Sequence, residues 1–153
     1  MKRNVVLSLG LMAAIAFGTA NEAAFALGQR RTLAQSTPAT QVNSTVVKSG
    51  EWVSADHPTK GAVRVVTENG KTYLELDEAF SSDPGPDLFV LLHKEGVPRN
   101  YRDSDFVNLG RLQRVSGSQR YEVPAGTDLS DLNSAVVWCR RFNVTFGYAP
   151  LNS

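Results

Sequence analysis

The sequence predicts an all-β fold, a single antiparallel β-sandwich or barrel-like domain. Short runs rich in β-branched and aromatic residues recur about every 10 residues, a spacing typical of sandwiches and barrels. Gly, Asn, Pro and Ser separate these runs, as in turns between strands. No window of 12 residues shows sustained helical periodicity with capping residues. Strands therefore account for the predicted core.

The first 26 residues have the pattern of an export signal. Lys2 and Arg3 precede an uncharged apolar run over residues 5–17, and Ala24-Phe25-Ala26 offers a small-x-small cleavage pattern. This run is shorter than the roughly 20 residues that a membrane-spanning helix needs. We therefore expect an exported protein, located in the periplasm, at the cell surface or outside the cell, with no transmembrane segment in the mature chain.

Residues 27–45 are rich in Thr, Ser, Gln and Ala, and we interpret them as a flexible leader. The domain is predicted over residues 46–153. Beyond residue 26 the sequence holds 14 basic and 14 acidic residues. This balance gives no electrostatic reason to expect nucleic acid as a partner.

Within the domain, the first predicted hairpin pairs residues 61–67 with 71–77. The Asn69-Gly70 pair between them supplies the positive φ angles of a tight turn. Residues 88–93 form the next predicted strand, after a Pro-rich turn at 83–86 that a helix could not cross.

A second hairpin is predicted from residues 106–115 and 119–123, with Ser116-Gly117-Ser118 as its turn. Residues 128–133 have the length of one helical turn. The last predicted strands cover residues 135–139 and 142–148, which are β-branched and aromatic.

Enzyme and metal motifs are absent from the sequence. It has two histidines, His57 and His93, and neither has a second ligand at zinc-site spacing. Asp83 and Asp87 could supply oxygens to calcium, but their spacing does not match an EF-hand, and a rigid turn is the favoured interpretation. We therefore predict no metal site and favour a non-enzymatic domain, without deciding against an enzyme.

Cys139 is the one cysteine of the chain, which is unusual for an exported protein because thiols outside the cytoplasm tend to pair. Strand alternation places Trp138 on the opposite face, in the core. Without a bulge, Cys139 shares a face with Arg141, whose guanidinium would lower the thiol pKa and favour a reactive thiolate. A bulge at Arg140-Arg141 would instead make Cys139 ordinary core, an inert buried thiol.

Several motifs together resemble the DM-thirteen (DM13) domain, a β-rich extracellular module also found in Skeletor-type cell-surface proteins. The resemblance covers residues 46–151. It is carried, in order, by Gly50-Glu51-Trp52, residues 61–65, 74–76 and 85–92, Leu109-Gly110-Arg111-Leu112, residues 117–124 and 137–142.

The resemblance implies an electron-transfer or redox domain. The hallmark cysteine of the family, a free thiol or a prosthetic-group ligand, corresponds to Cys139, with Trp138 before it. Haem or another prosthetic group is left open, with His57 and His93 as further axial donors. In animal proteins the domain accompanies haem-binding DOMON modules, for which this sequence has no room, so we expect a separate redox protein or envelope partner.

Two hypotheses follow. In the first, Cys139 serves an exported redox module by thiol chemistry or cofactor ligation, supported by Trp138 and Arg141. In the second, the chain is a non-catalytic β-sandwich that binds a ligand or an envelope partner.

Overall fold

A computed structural model describes residues 43–153 of the chain. The predicted signal peptide and almost all of the predicted leader lie outside the described residues. In residues 43–153 the structure contains strands and turns and no helix, which confirms the all-β prediction. No helix of the length and apolar character that a membrane crossing requires is found in this part of the chain.

Eleven strands form two main antiparallel sheets and a short ribbon. The four-stranded sheet has the order β1-β4-β5-β9, the five-stranded sheet β2-β11-β10-β7-β8, and the ribbon pairs β3 with β6. The strands are β1 (Ser44–Glu51), β2 (Val53–Ser54), β3 (Thr59–Lys60), β4 (Ala62–Glu68), β5 (Lys71–Leu76), β6 (Ser81–Ser82), β7 (Leu88–His93), β8 (Phe106–Arg111), β9 (Gln119–Val123), β10 (Ser134–Cys139) and β11 (Val144–Pro150).

The two sheets pack face to face around one hydrophobic core, as in a sandwich. Alternate residues of each strand point inward, which is the two-residue period of a strand with one face on the core. The four-stranded sheet contributes Val63, Val65, Leu74, Leu76, Tyr121 and Val123, and the five-stranded sheet contributes Leu88, Val90, Leu92, Ala135, Val137, Cys139, Phe146 and Ala149.

The first predicted hairpin is confirmed. β4 pairs with β5 in antiparallel register, with Glu68 opposite Lys71. Asn69 and Gly70 both have positive φ, 50° and 78°, as a two-residue hairpin turn requires. Gly70 tolerates this conformation because it has no Cβ.

The second predicted hairpin is wrong. β8 pairs with β7 in the five-stranded sheet, whereas β9 pairs with β5 in the four-stranded sheet. The Ser116-Gly117-Ser118 turn therefore carries the chain from one sheet to the other. The error arose because a Gly-Ser turn between two apolar runs has the same local pattern in a hairpin and in a sandwich crossover.

Strand ends also differ from the sequence prediction. β8 ends at Arg111 instead of residue 115, and β11 begins at Val144 instead of residue 142. Residues 128–133 form a turn closed by the Leu132 amide and the Leu129 carbonyl, and no helix. β1 was not predicted as a strand, because most of its side chains are exposed and it lacks a buried alternating pattern.

A small residue is required where β1 crosses the last strand. A Cβ added at Gly50 would lie 2.0 Å from the carbonyl oxygen of Pro150, a backbone atom that cannot yield without moving β11. We expect Gly50→Ala to lower the free energy of unfolding by about 1–3 kcal/mol or more, as overpacking does. Urea denaturation measures this effect. Gly96→Ala is the matched control, since a Cβ there meets nothing within 4 Å, and an equal loss in both variants would contradict the interpretation.

Candidate functional site

Cys139 is sealed inside the sandwich. It is the last residue of β10, and its side chain belongs to the main core with an exposed fraction of 0%. Leu88 of β7 and Val144 of β11 are its partners on the two neighbouring strands. The thiol is free in the sense that it has no disulfide partner, but solvent does not reach it.

The turn after Cys139 explains why the residue lies in the core. Residues 140–143 leave the sheet in a turn closed by the Asn143 amide and the Arg140 carbonyl at 3.3 Å. Asn143 adopts a positive φ of 52° there. The structure matches neither predicted arrangement, the strand without a bulge or the bulge at Arg140-Arg141. The strand ends at Cys139, and the β10–β11 bulge lies earlier, between Val137 and Trp138.

Arg141 and Cys139 are not brought together. Arg141 is exposed in the turn, whereas Cys139 faces the core. Among residues 43–153, no hydrogen bond or ion pair of the structure joins Arg141 to the β10 strand end. The structure therefore does not place this guanidinium beside the thiol.

Trp138 is buried on the opposite face of β10, where it forms an outer aromatic cluster with Phe89, Tyr101 and Phe106. Its ring stacks on Tyr101 at a centroid distance of 4.8 Å, and its indole N–H donates a hydrogen bond to Asn143 Oδ1 at 3.1 Å. Trp138 therefore contacts both the outer aromatic cluster, through its ring, and the turn that follows Cys139, through its indole N–H.

The segment 94–105 covers this outer cluster and is anchored by His93. The buried imidazole accepts a hydrogen bond from the Glu95 amide at Nδ1 and donates one from Nε2 to the Asn100 carbonyl, at 3.0 and 2.9 Å. These partners define the neutral Nε2–H tautomer. Both ring nitrogens are thereby used, so His93 serves the packing of the segment and has no nitrogen left for a metal.

His57 lies elsewhere, on the side of β11. Its ring stacks on Phe146 at 3.8 Å, and Nδ1 lies 3.2 Å from Asp83 Oδ2. In residues 43–153, no three His, Cys, Asp or Glu side chains lie close enough together to hold a metal ion. The enclosed Cys139 and the fully hydrogen-bonded His93 do not fit a haem or a metal centre.

Asp87 does not act with Asp83 as a calcium ligand pair. Its Oδ1 lies 2.7 Å from Arg111 Nη2, and its Oδ2 accepts a hydrogen bond from Arg140 Nε at 3.0 Å. Both oxygens are thus taken by guanidinium groups, while Asp83 is paired with His57. A carboxylate held between two cations is a poor candidate for binding a third.

A charged cluster that was not predicted from the sequence surrounds Asp87. We name it the Asp87 clamp, and it consists of Asp87, Phe89, Arg111 and Arg140. The two guanidiniums lie over the Phe89 ring at 5.2 and 4.6 Å from its centroid. The Arg140 amide also donates to the Asp87 carbonyl at 3.0 Å. The sequence feature that could have pointed to this clamp is Gly85-Pro86-Asp87-Leu88, in which Asp87 lies between a rigid turn and a buried strand.

Gln119 and Tyr121 hold the loop that connects β8 to β9. The buried Gln119 amide donates to the Arg114 carbonyl at 2.7 Å and accepts from the Arg114 amide at 3.1 Å. The Tyr121 hydroxyl accepts from the Gln113 amide at 3.0 Å and donates to Gln119 Oε1 at 2.7 Å. The Gly-Ser-Gln-x-Tyr motif therefore satisfies the backbone of the crossover loop and has a structural role here.

Removal of the Trp138 ring tests its position in the outer cluster. We expect Trp138→Ala to lower the free energy of unfolding by about 3–5 kcal/mol, because a large buried aromatic side chain leaves a cavity. Phe142→Ala is the matched control, since Phe142 is 64% exposed, and it should be near neutral. Equal, small effects in urea denaturation would show that Trp138 is not packed as described.

Tyr101 makes stability sensitive to alkaline pH. Burial raises the pKa of Tyr101 from 10.0 to about 12. The folded protein therefore keeps a proton that the unfolded chain loses between these values, so this contribution to stability falls as the pH rises through that window. Tyr101→Phe keeps the ring and removes the titrating hydroxyl, and we expect a shallower loss of stability above pH 10. An unchanged slope in urea denaturation across this window would contradict the assignment.

Comparison with known families, curated proteins and solved structures gives one match. The family model described as Electron transfer DM13 matches residues 51–151. No curated protein and no solved structure matches the chain. The matched region spans more than half of the 153 residues and includes Trp138, Cys139 and the Asp87 clamp. The chain therefore belongs to the DM13 family and carries an electron-transfer domain.

Proposed function

We propose that this protein is an exported electron-transfer module that works with a separate redox partner through its single thiol, Cys139. One observation carries the proposal: Cys139 is enclosed in the core, yet it is the last residue of its strand and borders an exposed turn. A thiol in this position is protected from random oxidation. It becomes reachable when the strand end and the turn open locally.

The donor set favours thiol chemistry over cofactor ligation. His93 has both nitrogens engaged, and no cluster of metal-binding side chains lies within residues 43–153. The redox chemistry left to a lone thiol is exchange with a disulfide.

In this exchange the Cys139 thiol loses its proton to water, and the thiolate attacks a disulfide of the partner. One S–S bond forms to Cys139 while the partner's S–S bond breaks and releases a thiolate. A thiolate of a second group then attacks the partner's sulfur in this mixed disulfide, forms a new S–S bond to it and releases the Cys139 thiolate, which takes up a proton again. The electron pair has then passed from the second thiolate to the sulfur that left in the first step, and Cys139 is regenerated.

Local opening is the step that controls this chemistry. Thiolate character and access together decide thiol reactivity, and burial removes access. The sheet contacts of Cys139 with Leu88 and Val144 must separate before a disulfide can reach the sulfur. Openings of this kind cost less free energy at strand ends and turns than in the middle of a sheet.

Export is supported by the N-terminal pattern of Lys2 and Arg3, the apolar run over residues 5–17 and the Ala24-Phe25-Ala26 site. A buried position suits a lone thiol in an oxidising compartment, because an exposed one would be oxidised or paired. The compartment and the role of Cys139 are therefore consistent with each other.

Adduct formation tests the thiol role. We expect protein incubated with oxidised glutathione to gain one glutathione by mass, slowly under native conditions and faster in moderate urea. Cys139→Ala should gain none, and it keeps the core free of an added polar group, unlike Cys139→Ser. A native protein that never forms the adduct would remove Cys139 from the mechanism.

An absorption spectrum recorded before and after dithionite separates this role from a cofactor. A band that changes on reduction and persists in Cys139→Ala would keep electron transfer and assign it to another group. No such band is expected.

The second candidate is a non-catalytic interaction module. It is favoured by the complete burial of Cys139 and by the absence of a link to Arg141. In this case Cys139→Ala leaves partner binding unchanged and neither adduct nor optical band appears.

A further inference from the structure

We propose that the end of the five-stranded sheet beside the Asp87 clamp is the docking surface for an acidic face of the redox partner. This surface, named here the basic end, consists of Arg111, Arg140, Arg141 and Phe142. The inference deepens the proposed function, on which it rests for the redox nature of the partner.

The basic end presents excess positive charge to solvent. The Arg111 and Arg140 side chains are 62% and 55% exposed, and Arg141 is also exposed. The one carboxylate among them, Asp87, is only 13% exposed. Three guanidiniums therefore face a partner against a single, mostly covered, negative charge.

The opposite sheet shows the contrast. Its outer face also carries cations, but three of them are each paired with a carboxylate that is 22–57% exposed. These pairs are Arg64–Glu75, Lys71–Glu122 and Arg120–Glu68. Charge in that sheet is locally balanced, as on an ordinary solvated face. The basic end is not balanced in this way.

The guanidiniums of the basic end are held in place before any partner arrives. Asp87 binds Arg111 and Arg140 from the two sides, and both groups lie over the Phe89 ring. Without the carboxylate, two cations over one ring would repel each other. Fixing them in the free protein lowers the ordering cost of binding.

An apolar anchor stands beside these charges. Phe142 is 64% exposed at the tip of the turn, although Phe is a residue type that folding usually covers. Arginine and aromatic side chains are the types enriched at protein–protein interfaces. Because opposite charges steer encounter, an acidic protein face is the complementary occupant.

This surface is also the one next to the thiol. Arg140 follows Cys139 in the chain, and its amide is bonded to the Asp87 carbonyl. Leu88, the next residue after Asp87, pairs with Cys139 across the strands. A partner docked on the basic end therefore contacts residues 140–143, the turn whose opening would expose Cys139.

Two acidic probes test the proposal: hexacyanochromate(III), an inert paramagnetic trianion, and a deca-glutamate peptide. We expect hexacyanochromate at low ionic strength to broaden the NMR signals of the 140–143 amides and of Arg111 most strongly. The peptide should shift the same signals, and salt should weaken both effects. Arg141→Glu should weaken peptide binding by about tenfold.

Arg141→Glu is a clean variant because no contact of Arg141 with the strand end would be lost. Arg64→Glu is the matched control, with the same change of charge on the opposite sheet and no expected effect on peptide binding. Equal effects of the two variants, or broadening spread evenly over the surface, would overturn the proposal. Binding of the trianion without the peptide would identify a small-anion site and would also overturn it.

These readouts require no electron transfer. A basic end that binds the peptide in a protein whose Cys139 forms no adduct would keep the docking surface and reject the thiol role. Adduct formation with no peptide binding would do the opposite.

Discussion

The structure depends on β10 being buried on both faces in the middle of the five-stranded sheet. Val137 and Cys139 belong to the core between the sheets, while Val136 and Trp138 belong to the outer cluster with Phe89, Leu91 and Tyr101. A strand in this position has no exposed face, so any thiol on it belongs to the core. This constraint keeps Cys139 away from solvent. In the proposed function, access to its sulfur depends on the turn that follows.

That turn connects three features of the molecule. Its first residue, Arg140, completes the Asp87 clamp, and its last residue, Asn143, accepts the Trp138 indole hydrogen bond. Residues 140–143 therefore follow the thiol directly and contact both the outer aromatic cluster and the Asp87 clamp. A ligand that moves residues 140–143 would change the access to Cys139 without touching the sulfur.

The sequence predicted the parts of this fold that depend on local pattern. Asn69-Gly70 identified its hairpin, and the unbroken apolar run of β7 gave residues 88–93 correctly. The pairing of β8 and β9 was wrong because sheet partnership is decided by the two-sheet packing, which a turn motif does not encode. The motif resemblance identified the same family whose model matches residues 51–151.

The candidate site was less predictable. Strand alternation without a bulge would place Arg141 beside Cys139, and a bulge would make Cys139 an ordinary core residue. The thiol is in the core, but the reason is that the chain turns after Cys139, so alternation does not apply to residues 140–143. The Asp87 clamp joins residues from three strands or their ends, and no local pattern pairs Asp87 with Arg111 and Arg140. Sequence could locate the thiol and could not say what surrounds it.

The burial of the thiol is tested by the rate at which Cys139 reacts with a small aromatic disulfide reagent as urea is raised below the unfolding transition. We expect a native rate at least about 1,000-fold below that of the unfolded chain, since opening must precede reaction. The logarithm of the rate should rise linearly with urea, because opening exposes buried surface. A native rate close to that of the unfolded chain, with no dependence on urea, would show that the thiol is already accessible to solvent and that Cys139 is not enclosed in the core.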